Sequence, residues 1–249
     1  MALPRLPSAR PLLPLAAALL PVFGAAAQTF SACASDGRHA PALLLERFLS
    51  ADCEACWRDA RTPHAGAHAL ALDWIVPGRQ GEDAPLAAAA RRDGLQRLET
   101  LQRPAPAAEP LNLRQRVSPG SWRGALRVAN GPVINDYLGT SIEVKLPRGH
   151  AANAGASPAS APDAGEAAAA KGTAWLALVE TLPAGTEGSP VPRHLVRNLL
   201  TEPWDGGALQ LSRPMQIPAG ATAKRLSVVG WLQDAEGRIL QAAQSHCAP

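Results

Sequence analysis

Two textures along the chain predict an α+β protein built from two units. Residues 28–115 hold a strand, a C-x-x-C pair, a short helix and a second strand in close succession. From Trp122 onward the pattern changes to short β-like segments separated by Gly and Pro, as in a small antiparallel sandwich. The 249 residues carry 24 Lys+Arg against 21 Asp+Glu, a formal net charge of +3. Such near balance excludes a nucleic-acid binder that works through a clustered basic surface. A hydrophobic fraction of 47% is enough for one medium core or two small ones.

Residues 1–27 read as a secretory signal peptide. Arg5 and Arg10 form a basic start, Pro11 to Phe23 is apolar, and Ala25-Ala26-Ala27 offers a cleavage site before Gln28. Pro11, Pro14 and Pro21 interrupt the run, which falls short of the roughly 20 residues a bilayer span needs. Cys33 lies well past the apolar run, so a lipid-anchored cysteine is not expected. The mature chain is expected to be periplasmic or secreted, with its N-terminus at Gln28 and no membrane contact after cleavage.

Export gives the four cysteines their meaning. In an oxidising compartment an even count favours pairing, and four cysteines allow three connectivities. Cys53-Glu54-Ala55-Cys56 is a C-x-x-C whose members are disulfide partners, metal ligands or redox partners. Pairing them leaves Cys33 for Cys247, which would tie the two ends of the mature chain together. Ala42 to Leu49 suits a buried strand, Trp57 to Arg61 a short helix stopped by Thr62-Pro63, and Ala67 to Val76 a second strand ended by Pro77-Gly78. A strand, a C-x-x-C, a helix and a strand make the βαβ start of a thioredoxin-like unit. Cys53 would then be the nucleophile toward a substrate disulfide, with Cys56 resolving the mixed disulfide. Asp52 and Glu54 oppose a thiolate at Cys53, whereas Arg47, Arg58 and Arg61 favour it.

The chain also resembles a family of exported thioredoxin-like proteins, the domain of unknown function 1223 family. The resemblance rests on Glu46-Arg47-Phe48-Leu49-Ser50 before the cysteine pair and Leu72-Asp73-Trp74 after it. It extends, discontinuously, to His194-Leu195-Val196-Arg197 and to Val228–Ala243. Where the family has Pro-Pro-Ala-Asp after its second cysteine, this chain has Trp57-Arg58-Asp59-Ala60. The resemblance implies a cis-proline facing the cysteines, for which Pro119 is the candidate, with Pro132 as an alternative. Asp73, following the second strand toward the cysteines, is a candidate proton relay to Cys56, and a turn cap is the competing reading.

The remaining elements follow in order. Leu86 to Gln102 has apolar residues near helical spacing, interrupted by Gly94, and is expected as a helix beneath the sheet. Arg103 to Pro110 is a connector. Strands are expected at Ala125–Val128, Val133–Ile134, Ile142–Leu146, Ala174–Val179 and Leu226–Leu232, in a β-rich unit over 116–249. Residues 150–172 are almost wholly Ala, Gly, Ser and Pro and are expected as a disordered loop.

Cys53, Cys56, His64 and His68 invite a zinc reading, but seven residues between the pairs is short against the roughly 12–15 of a zinc finger. His39, His150 and His246 read as solvated, and His194 as a strand histidine. Ser50 and Ser118 lack a G-x-S-x-G setting, and no phosphate loop appears. No metal or cofactor is expected. The expected partners are protein thiols or disulfides. Two functions from different classes stand beside each other: a thiol–disulfide oxidoreductase, and a non-catalytic binding or structural module whose Cys53–Cys56 bond is inert. A metal-binding exported protein is the third.

Overall fold

The computed structural model describes residues 33–120, 122–147 and 171–247. The expected signal peptide and nearly all of the 150–172 loop, His150 included, lie outside the described residues; Gly172 already opens a strand. Among the described residues 48% are in strands and 11% in helices, arranged around two large sheets. This overturns the expected α+β class with a thioredoxin-like unit, because helices contribute too little to form a layer.

The strands are β1 (Cys33–Ala34), β2 (Leu43–Ser50), β3 (Ala69–Val76), β4 (Leu111–Arg116), β5 (Ala125–Ile134) and β6 (Tyr137–Lys145), then β7 (Gly172–Leu182), β8 (Arg193–Trp204), β9 (Leu209–Gln216), β10 (Leu226–Asp234), β11 (Ile239–Gln244) and β12 (His246–Cys247). One sheet has five strands in the order β12-β1-β5-β6-β9, and the other has seven, β11-β10-β7-β8-β3-β2-β4. The parallel pair β2–β3, expected from the apolar runs on either side of the C-x-x-C, is present. It does not stand alone. Strand β8 joins β3 in parallel through Asp73 and Leu195, so one sheet runs across the boundary drawn at residue 115.

The expected helix over 86–102 shrinks to a short 3-10 turn at Ala87–Ala89 and one helix, α2 (Asp93–Thr100). A Cβ on Gly94 would meet Val76 at 2.7 Å, so the residue that looked like an interruption is where the helix backbone presses on β3. The other helix, α1 (Glu54–Trp57), has only four residues.

Two clusters of buried apolar side chains lie on opposite faces of the seven-stranded sheet, as the period-2 alternation of strands requires. Phe48, Trp74, Trp175, Trp231 and Leu98 belong to one, and Leu176, Leu178, Val228, Leu232, Val128 and Ile142 to the other, where the two sheets meet. The sheets approach closely at Gly230, where an added Cβ would meet Val128 at 2.5 Å. The hairpin β5–β6 turns through Asn135 and Asp136, with φ of 48° and 61°, the left-handed pair that matches strand twist.

Cys33 and Cys247 face each other across the β1–β12 pair and are disulfide-bonded over a sequence separation of 214 residues. Strand β12 has two residues and only β1 as neighbour, so the bond holds an otherwise frayed edge. Replacing both cysteines by Ala is expected to lower stability by about 2–4 kcal/mol, because a very long loop is released in the unfolded chain. Urea unfolding of the double variant checks this; an unchanged midpoint would show that the bond closes no entropy of consequence.

Candidate functional site

Strand β2 ends at Ser50, and the chain turns at once: the Cys53 N–H donates to the Ser50 carbonyl at 3.0 Å. The tight turn aims Cys53 outward and leaves Cys56 one helical turn behind it. Cys53 is half-buried and Cys56 is 7% exposed; the two are disulfide-bonded. The Cys56 N–H points at the Cys53 sulfur at 3.3 Å. The connector before β4 crosses the bond, placing the Ala108 carbonyl oxygen 3.3 Å and 3.4 Å from the two sulfurs. On the Cys53 side lies an open depression floored by Cys53, Arg79, Pro85 and Ala108.

The charges flanking the pair are engaged elsewhere. The Asp52 carboxylate accepts the backbone N–H groups of Arg79 (2.7 Å) and Gln80 (3.2 Å), pinning the loop after β3. Glu54 pairs with Arg58, and Arg61 with Asp59, on the surface. The Arg61 contact holds the Asp59 carboxyl below its ordinary range. Such exposed pairs contribute little to stability.

Beneath the disulfide lies a buried ionic cluster. Asp73 on β3 sits beside Arg47, its cross-strand neighbour on β2, and accepts from it at 2.5 Å. It also accepts from Arg193 at 3.3 Å and from the His194 backbone N–H at 2.6 Å. Arg193 donates to the Trp57 carbonyl at 2.6 Å and the Cys56 carbonyl at 3.3 Å, while its guanidinium lies 4.7 Å over the Trp57 ring. Arg193 therefore clamps the end of α1 against the sheet. Burial lowers its pKa, against the opposing pull of Asp73, and burial likewise lowers that of His194.

These placements revise several expectations. The Asp73 carboxylate, a candidate relay or turn cap, accepts from Arg47, Arg193 and the His194 backbone N–H, and Arg193 in turn donates to the Cys56 carbonyl. Pro119 is not the proline beside the cysteines. No cis peptide occurs among the described residues, and Pro119 follows β4, a strand length of roughly 20 Å beyond the Ala108–Pro110 segment that crosses the disulfide. Pro132 belongs to β5, in the other sheet. His64 and His68 are exposed, the cysteines are bonded to each other, and no group of three or more metal-binding side chains forms among the described residues.

Sequence reasoning passed over Arg193 and Trp57. The available signal was alternation: Arg193 stands two residues before Leu195 and so shares its buried face. No helix among the described residues is long and apolar enough to cross a membrane. No family model, curated protein or solved structure matches the chain.

Proposed function

We propose that the protein is an exported thiol–disulfide oxidoreductase acting through Cys53 and Cys56. The observation that carries this reading is the asymmetry of the pair: one sulfur opens on a surface depression and the other is buried one turn behind it. Exchange needs one sulfur that a substrate can reach and a second that only the first can reach. In the dithiol form the Cys53 thiolate attacks a substrate disulfide and expels one substrate thiolate, giving a mixed disulfide. The Cys56 thiolate then attacks the Cys53 sulfur and expels the second. The substrate gains two electrons and the pair loses them. Two disulfides suit an oxidising compartment, and the signal-like first 27 residues support the periplasm or the exterior.

After mild reduction, Cys53 is expected to react with iodoacetamide at least tenfold faster than Cys56, followed by mass spectrometry. Cys53→Ser abolishes reduction of a model protein disulfide, and Cys56→Ser accumulates mixed disulfides on Cys53. Equal alkylation of the two thiols, with no turnover above buffer, would establish the alternative of an inert structural bond.

A further inference from the structure

The outer strands of the seven-stranded sheet, β4 and β11, meet at their ends: Val117 bridges Ile239, and the Ser118 N–H donates to the Ile239 carbonyl at 2.8 Å. The sheet is therefore rolled, and one apolar cluster draws side chains from all seven strands, from Leu113 on β4 to Ile239 on β11. Where β2 and β3 begin, the mouth of this roll opens as a cavity of about 410 Å³. The cysteine pair lies at the other end of these two strands, a strand length of roughly 25 Å away. Mouths of closed sheets are a preferred place for small-ligand sites, and the volume falls within the roughly 300–1,000 Å³ that such sites occupy.

The lining has two parts. The floor is apolar: Ala242 is 2% exposed and belongs to the interior cluster, Leu70 packs against that cluster, and Leu126 comes from the other sheet. The rim is basic. Arg38 and His39 between β1 and β2, His68 before β3 and His246 on β12 are all exposed, so a ligand in the cavity touches them directly. No carboxylate lines the cavity among the described residues, in a chain whose charges nearly balance overall.

The backbone holds these groups together. The Ala42 N–H donates to the His68 carbonyl at 2.7 Å, joining the segment before β2 to the approach to β3. His246 faces Ala34 across the β1–β12 pair, which the Cys33–Cys247 disulfide ties. Burial lowers the His246 pKa, and the nearby Arg38 charge lowers it further. Near neutral pH the mouth thus holds one permanent charge, Arg38, beside imidazoles that become cations as the pH falls. One permanent charge suits a monoanion, a planar guanidinium suits a carboxylate, and the apolar floor suits a hydrocarbon body.

We propose that this mouth binds a medium-chain monocarboxylate, with the carboxylate on Arg38 and the histidines and the chain on Leu70, Leu126 and Ala242. The site is independent of the cysteine pair, and its occupancy requires no exchange chemistry.

The test uses the oxidised mature protein, with both disulfides intact. Calorimetric titrations and thermal melts with sodium octanoate are compared with sodium acetate, 1-octanol and sodium phosphate at matched ionic strength. Octanoate is expected to bind saturably at one site and to raise the melting temperature. Acetate lacks the buried chain and is expected to bind at least about tenfold more weakly. Octanol lacks the charge and is expected to lose a similar factor. A bound carboxylate favours imidazolium, so octanoate affinity should rise as the pH is lowered from about 8 to about 6. Arg38→Gln is expected to weaken octanoate at least about tenfold, and replacing His39, His68 and His246 together by Gln is expected to flatten the pH dependence. All four positions are exposed, so these variants should melt like the parent without ligand. Octanol binding as tightly as octanoate overturns the proposal. So does phosphate binding more tightly than octanoate, undiminished affinity in Arg38→Gln, or an affinity that does not change with pH in the parent.

Discussion

Asp73→Ala is expected to cost about 5 kcal/mol, the upper end of what removing one member of a buried ion pair costs, because it orphans two guanidiniums rather than one. Both Arg47 and Arg193 are almost fully buried, and Asp73 is their shared counter-ion. For a chain of this size that loss corresponds to a fall in melting temperature of roughly 10–20 °C. Asp73→Asn keeps an acceptor for the His194 N–H but not the charge, and should fall between the parent and Asp73→Ala. The consequence reaches the cysteines. Arg193 holds the carbonyls of Cys56 and Trp57, so loosening it frees the short helix that buries Cys56. Below the melting temperature of the variant, alkylation of reduced Cys56 should approach that of Cys53. Retained asymmetry in Asp73→Ala would show that the packing of Trp57, not the ionic clamp, shields Cys56.

The second large effect belongs to the other face of the sheet. Arg97 on α2 makes a two-pronged ion pair with Glu46, at 2.9 Å and 2.8 Å, and both side chains are fully buried. Its third nitrogen donates to Gln233, and its guanidinium lies 4.7 Å over Trp175 and 5.3 Å over Trp231. Gln115 donates to the same Glu46 carboxylate at 2.9 Å. One planar cation thus joins α2, β2, β10 and a stacked tryptophan pair. Arg97→Ala is expected to cost about 3–5 kcal/mol, much of it from the Glu46 charge left alone in the core. The pair Glu46→Gln with Arg97→Leu should recover a large part, since both buried charges then leave together. Urea unfolding of the two single variants and the double variant measures the coupling; additive losses would show that the charges do not stabilise each other.

What was legible in the sequence is local. Leu43–Ser50 and Ala69–Val76 announce themselves as strands because each is a nearly continuous apolar run bounded by turn residues, the mark of strands buried on both faces. The C-x-x-C between them can be seen in four residues, and an even cysteine count behind a signal-like first segment points to disulfides. Strands β4 and β9 escaped notice because their sequences, LNLRQR and LQLSRPMQ, alternate weakly and are rich in polar residues, as exposed edge strands are. The 86–102 helix was overdrawn because alanine fits any local pattern, and only packing on β3 selects Asp93–Thr100.

The sheet order and the charge clusters were decided by tertiary structure alone. Glu46 and Arg47 look like a polar interruption in an apolar strand. They are buried anchors of the sheet, one on each face, with partners 51 and 26 residues away. A buried charge is tolerable only beside its counter-ion, and no local window shows both. Parallel pairing of β3 with β8 likewise joins Asp73 to Leu195 across more than a hundred residues, and it is this pairing that brings Arg193 under the disulfide. Propensity and periodicity act over a few residues, whereas the hydrogen-bond ladders and ion pairs that made one sheet from two expected units act between segments whose separation in sequence carries no signal of their nearness in space.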